Sequence, residues 1–88
     1  MEKEVMEQVR EYFKEHLPQY EVLEVRRKSN HSDDWFLWMV SAKHRENDTY
    51  AFWSSYNTET GSLNHGHYGL ANESDCHDLF EEFYYKGE

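Results

Sequence analysis

Two segments decide how this chain folds: WFLWMVSA at residues 35–42 and TYAFWSSY at residues 49–56. Both are rich in aromatic and β-branched residues, which favour strands. The polar segment between them, residues 43–48, is typical of a turn that joins two strands. The sequence therefore predicts two central strands connected as an antiparallel hairpin.

Strand formers also lie on either side of this hairpin. Residues 20–27 are predicted to form a strand, which is followed by turn-forming Ser, Asn and Asp residues at 29–34. A second turn at residues 57–61 ends in Gly61, a residue suited to positive φ. Residues 62–70 then continue as a fourth strand, so we expect an antiparallel meander of four strands.

A helix is predicted at each end of the meander. Residues 2–17 carry apolar side chains at the spacing of one helical stripe, and Pro18 ends the pattern. The second helix is predicted to begin after Asn72 or Ser74, with acidic residues in its first turn, and to end near Tyr85. The element order is therefore α-β-β-β-β-α.

Length and composition limit both the fold class and the function. A chain of 88 residues allows one small domain, residues 1–88, and we expect a two-layer α+β fold in which the helices cover a four-strand antiparallel sheet. The 18 Asp+Glu against 9 Lys+Arg disfavour direct binding of nucleic acid or of an anionic membrane surface. An aromatic content of 17% excludes a disordered chain. With one cysteine, no signal peptide and no apolar span, we expect a cytoplasmic protein.

The central strands carry aromatic side chains on both faces, because side chains alternate along a strand. For a hairpin loop with an even number of residues, one face carries Phe36, Trp38, Val40, Ala51 and Trp53, and the other carries Trp35, Leu37, Met39, Tyr50, Phe52 and Tyr56. If both helices cover one face, the other exposes an apolar patch large enough to imply a partner.

The first hypothesis is therefore a small acidic interaction domain that binds a protein partner, or a second copy of itself as a homodimer, through an aromatic sheet face. The candidate binding residues are Trp35, Trp38, Phe52, Trp53 and Tyr56. The alternative is that the helices cover opposite faces, or that the sheet curls, so that both sets of aromatic side chains are buried.

Acidic residues on the first predicted helix suggest a second function. Spacings of 3, 4 and 4 residues align four carboxylates on one side of that helix: Glu4, Glu7, Glu11 and Glu15. Such a row could imitate nucleic acid and occupy a basic groove on a DNA- or RNA-binding protein, as an inhibitor. An ordinary solvated helix face, partly compensated by basic residues of the same helix, is the alternative interpretation.

Chemically reactive residues are few. His65 and His67 lie two residues apart on the predicted fourth strand and could supply two metal ligands, although a site needs at least a third. Two half-exposed histidines on an edge strand are the simpler interpretation.

Cys76 fits a buried core thiol better than a nucleophile, since Asp75 and Asp78 favour its neutral form. Without a phosphate-binding loop or a nucleophile elbow, the sequence predicts neither an enzyme nor a cofactor.

Overall fold

The structure, a computed structural model, describes residues 2–27, 36–70 and 72–83. Its helices and strands follow the predicted order, and the predicted α+β arrangement of helix, antiparallel four-strand meander and helix is confirmed. The elements are α1 Glu2–His16, β1 Tyr20–Arg27, β2 Leu37–His44, β3 Tyr50–Asn57, β4 Ser62–Leu70 and α2 Glu73–Phe83. The turn predicted at residues 29–34 lies outside the described residues.

Local side-chain chemistry sets several of these boundaries. The side-chain oxygen of Asn72 accepts a hydrogen bond from the backbone N–H of Asp75 at 2.8 Å, so Asn72 is the N-cap of α2. In the turn between β3 and β4, Asn57 accepts backbone N–H groups in the same way. Gly61 completes that turn with φ of 67°, a value that glycine adopts at little cost.

The four strands pair in the order β1-β2-β3-β4, and each pair contains one register shift. The shift between β2 and β3 changes the predicted facing of an aromatic side chain. Trp38 lies opposite Tyr56, whereas Val40 lies opposite Trp53, so β3 has one residue more than β2 between these pairs. This β-bulge at residues 54–55 turns Tyr56 to the same face as Trp53. The predicted placement of Tyr56 on the other face is wrong because strict alternation does not hold through the bulge.

α1 covers one face of the sheet with its apolar stripe. The ring of Phe13 meets the ring of Trp53 edge-on at a centroid distance of 5.0 Å, and Tyr12 meets Tyr56 at 5.8 Å. These contacts belong to a buried cluster that unites α1 with the first three strands: Val5, Val9, Phe13, Val22, Val25, Trp38, Val40, Ala42, Ala51, Trp53 and Tyr56.

α2 covers the opposite face. A second buried cluster joins this helix to the sheet, and it consists of Met39, Phe52, Cys76 and Phe80. The rings of Phe52 and Phe80 lie 5.8 Å apart in an edge-on arrangement. Because Met39 and Phe52 point away from α1, the two helices lie on opposite faces of the sheet. The fold therefore has three layers, with the sheet in the middle, and the expectation of two layers is wrong.

An ion pair fixes α2 on this face as well. The Arg26 guanidinium on β1 donates hydrogen bonds to Glu24 on its own strand and to Glu81 on α2, the latter at 2.8 Å. It also lies 4.9 Å from the centre of the Phe80 ring, within cation–π range. Burial lowers the pKa of Arg26, but the hydrogen bonds to Glu24 and Glu81 outweigh it and leave the pKa above its ordinary value.

The opposite placement of the helices predicts how mutations on them combine. Phe13→Leu and Phe80→Leu should each lower the free energy of unfolding by about 1–3 kcal/mol, since each removes part of a buried ring. In urea denaturation, their effects should add within about 0.5 kcal/mol, because the two side chains contact different faces. Phe13→Leu combined with Trp53→Phe is the control, and its effects should not add, because these rings touch. Strong coupling between Phe13 and Phe80 would contradict the three-layer arrangement.

Candidate functional site

The aromatic residues predicted to bind a partner are buried within the domain. The exposed fraction is 4% for Trp38, 0% for Phe52, and 1% for both Trp53 and Tyr56. Trp35 lies outside the described residues. The expectation of an exposed aromatic face is therefore wrong for the four residues that the structure describes, because a helix packs on each side of the sheet. The alternative, in which both sets are buried, is the observed one.

The two histidines proposed as metal ligands lie on β4. The exposed His67 is opposite Phe52 in the β3–β4 pairing, and the two rings are 6.0 Å apart. The side chain of His65 lies outside the described part of the structure. Among the described side chains, no three His, Cys, Asp or Glu residues come close enough to hold a metal ion. The metal site stays a prediction, with no further support from the described residues.

Cys76 lies in the buried cluster under α2, as a core thiol should. Its side chain is 2% exposed, and its sulfur donates a hydrogen bond to the carbonyl oxygen of Ala51 at 3.4 Å. Burial is the largest cause that raises the pKa of this thiol, and the carboxylates of Glu73 and Glu24 act in the same direction. A backbone hydrogen bond from Ala42 opposes them, and the resulting pKa is about 11. The neutral thiol therefore dominates at physiological pH.

The raised pKa of Cys76 predicts slow alkylation of the folded protein. Iodoacetamide at pH 8 should modify Cys76 only as fast as the domain unfolds, and urea should accelerate the reaction strongly, because only the exposed thiolate reacts readily. Equal labelling rates in native and denaturing buffer would contradict this account.

The same shift predicts a loss of stability at high pH. An ordinary thiol pKa of 9.0 rises to about 11 in the folded domain, so the Cys76 contribution is complete below pH 9 and declines as pH rises through 11. Relative to a Cys76→Ala variant, the wild type should lose about 2–3 kcal/mol of unfolding free energy across that range, measured by urea denaturation. A constant difference between the two proteins would rule out the shift.

The acidic residues of α1 form an exposed row. We call Glu4, Glu7, Glu11 and Glu15 the acidic stripe; all four side chains are exposed, and they lie on the side of α1 that faces away from the sheet. Among the ion pairs of the described residues, only Glu15 from this set takes part, with His16 at 3.9 Å. The stripe spans about 16 Å of helix. No Lys or Arg of the described residues is within ion-pair distance of the stripe, although Lys3, Arg10 and Lys14 lie about one turn from its carboxylates on the same helix.

A pocket that the sequence did not reveal lies on the flank of α1 next to β1. Its volume is about 350 Å³, and the lining residues are Arg10, Phe13, Lys14, Tyr20, Glu21, Val22 and Arg45. Arg10 and Lys14 are one turn apart on α1, a spacing that the sequence does show. Arg45 comes from the β2–β3 turn, and its arrival beside the helix depends on the tertiary fold. We call this group the basic pocket.

No helix in the described ranges has the length and apolar character needed to cross a lipid bilayer. No curated protein and no solved structure matches the chain. A family model does match: residues 4–74 correspond to large polyvalent protein associated domain 24. The match runs from α1 through the whole sheet to the start of α2, and it includes both the acidic stripe and the basic pocket. The chain is thus a member of the large polyvalent protein associated domain 24 family.

Proposed function

We propose that the domain is a non-catalytic protein-interaction module whose acidic stripe binds a basic groove on a partner protein. The observation that carries this proposal is the exposure of four aligned carboxylates on a helix whose other side is fixed to the sheet. Burial of the aromatic sheet faces removes the main competing surface among the described residues, since the one large apolar side chain exposed there is Leu23.

The packing of α1 supports a fixed presentation of these charges. Val5, Val9 and Phe13 anchor the helix on the sheet at successive turns. The side-chain amide of Gln8 also donates a hydrogen bond to the carbonyl oxygen of Thr58 at 3.2 Å, which ties the helix to the β3–β4 turn. Because the backbone of α1 is already fixed on the sheet, binding costs little backbone conformational entropy. A larger part of the electrostatic attraction then remains as affinity than for a flexible acidic segment.

The spacing and the net charge favour a groove that normally holds phosphates. Successive carboxylates on one side of a helix have Cβ atoms about 5–6 Å apart, which is comparable with neighbouring phosphates of a nucleic-acid strand. The formal charge of −9 would also steer the domain toward a basic partner over long distances.

The proposal is tested by removing charge from the stripe while the total charge is matched in a control. The stripe variant carries E7Q, E11Q and E15Q. The control variant carries three exposed changes elsewhere: E46Q, E59Q and E82Q. Calorimetric titration with a Lys- and Arg-rich peptide should show binding weakened at least about tenfold in the stripe variant and much less in the control. Affinity should also fall as salt is added.

Two results would contradict the proposed function. Equal losses in the two variants would show that net charge alone, and not the stripe, attracts the peptide. Binding that is insensitive to salt would show that the contact does not depend on the carboxylates. Circular dichroism of both variants checks that α1 remains helical, as expected for Glu→Gln changes at exposed helix positions.

A further inference from the structure

The basic pocket is positively charged, although the chain as a whole is acidic. Three cationic side chains line it, Arg10, Lys14 and Arg45, against the single carboxylate of Glu21, which gives a local charge of +2. The whole chain has a formal charge of −9, so this concentration of cations is contrary to the average surface. No ion pair within the described residues joins Arg10, Lys14 or Arg45 to a carboxylate, so their charges are available to a ligand.

The fold holds Arg45 in a defined position. Its backbone N–H donates to the carbonyl oxygen of Gln19 at 2.8 Å, and its side-chain Nε donates to the carbonyl oxygen of Pro18 at 3.1 Å. These bonds connect the β2–β3 turn to the α1–β1 turn and hold Arg45 at the pocket that it lines. Because Nε is already used, the two terminal nitrogens of Arg45 remain to bind an oxyanion as a planar fork.

Apolar groups line the same pocket beside the cations. Phe13 and Val22 are buried core residues, and Tyr20 is partly buried. The Tyr20 ring is held between two neighbours, with ring-centre distances of 5.7 Å to Trp53 and 5.3 Å to His44. Since Phe13 and Val22 are almost fully buried, the partly buried Tyr20 is the aromatic side chain available to a ligand. A ligand that fits here would therefore have an anionic end for the three cations and an apolar or aromatic body that contacts Tyr20.

We propose that the basic pocket binds a small phosphate monoester with an aromatic body. A phosphate monoester carries a charge of about −1.5 to −2 near neutral pH, which matches the local +2 better than a single carboxylate does. Arginine forks bind phosphate oxygens in pairs. The volume of about 350 Å³ is in the range of small-molecule sites rather than of surfaces that hold a folded partner. This site is separate from the acidic stripe, and each proposal can fail without the other.

The direct test is titration of the domain with three probes followed by NMR: phenyl phosphate, inorganic phosphate and benzoate. Phenyl phosphate should bind saturably at one site and shift the backbone signals of Arg45 and Tyr20. Inorganic phosphate should bind more weakly because it lacks the aromatic body, and benzoate should bind more weakly because it carries one charge. Benzoate binding as tightly as phenyl phosphate would overturn the phosphate assignment, and equal binding of the two phosphates would overturn the aromatic part.

Substitutions test whether the named cations bind the probe. R10Q with K14Q should weaken phenyl phosphate binding at least about tenfold, because two charge-assisted contacts are lost. The matched control is K3Q with R27Q, which makes the same change in net charge at exposed positions outside the pocket and should bind nearly as the wild type does.

A substitution with the opposite effect completes the test. E21Q removes the carboxylate from the pocket and should strengthen phenyl phosphate binding about two- to fivefold. Equal affinities of the R10Q/K14Q variant and the wild type would overturn the proposal, and so would an absence of saturable binding to the wild type. Equal weakening in the K3Q/R27Q control would overturn it too, since the effect would then follow net charge.

Discussion

Phe52 and Trp53 are neighbours on the central strand β3, and strand geometry sends their side chains to opposite faces of the sheet. Both rings are too large and apolar to remain in water, so each face needs its own cover. α1 supplies Phe13 against Trp53, and α2 supplies Phe80 against Phe52. The three-layer arrangement follows from this one constraint, because a helix missing from either side would expose a large ring.

The use of aromatic residues in the interior leaves charge as the main feature of the described surface. α1 is an example, since apolar, acidic and basic side chains occupy three different sides of this helix. Its apolar stripe faces the sheet, the acidic stripe faces solvent, and Arg10 and Lys14 lie along the flank beside β1. One helix therefore contributes to the core and to two surfaces of opposite charge.

Features that depend on residues close together in the sequence were predictable, whereas features that depend on how the helices pack on the sheet were not. Pro18, Gly61 and the Asn72 cap act within a few residues, so the order of elements and most boundaries could be read directly. The bulge at residues 54–55 has no clear local signal, and it reversed the facing of Tyr56. Which face each helix covers is a tertiary choice, so the burial of Trp38 had to be observed, whereas the exposure of the acidic stripe follows from the helical spacing of its residues. The position of Arg45 beside α1 likewise requires the folded hairpin.

Proton–proton NOEs between side chains test the arrangement most directly, because they report which rings are in contact in solution. The three-layer arrangement predicts strong NOEs between Phe13 and Trp53 and between Phe52 and Phe80, with none between Phe13 and Phe80. NOEs that join the apolar stripes of α1 and α2, together with a solvent-exposed Phe52 or Trp53, would place both helices on one face and contradict it.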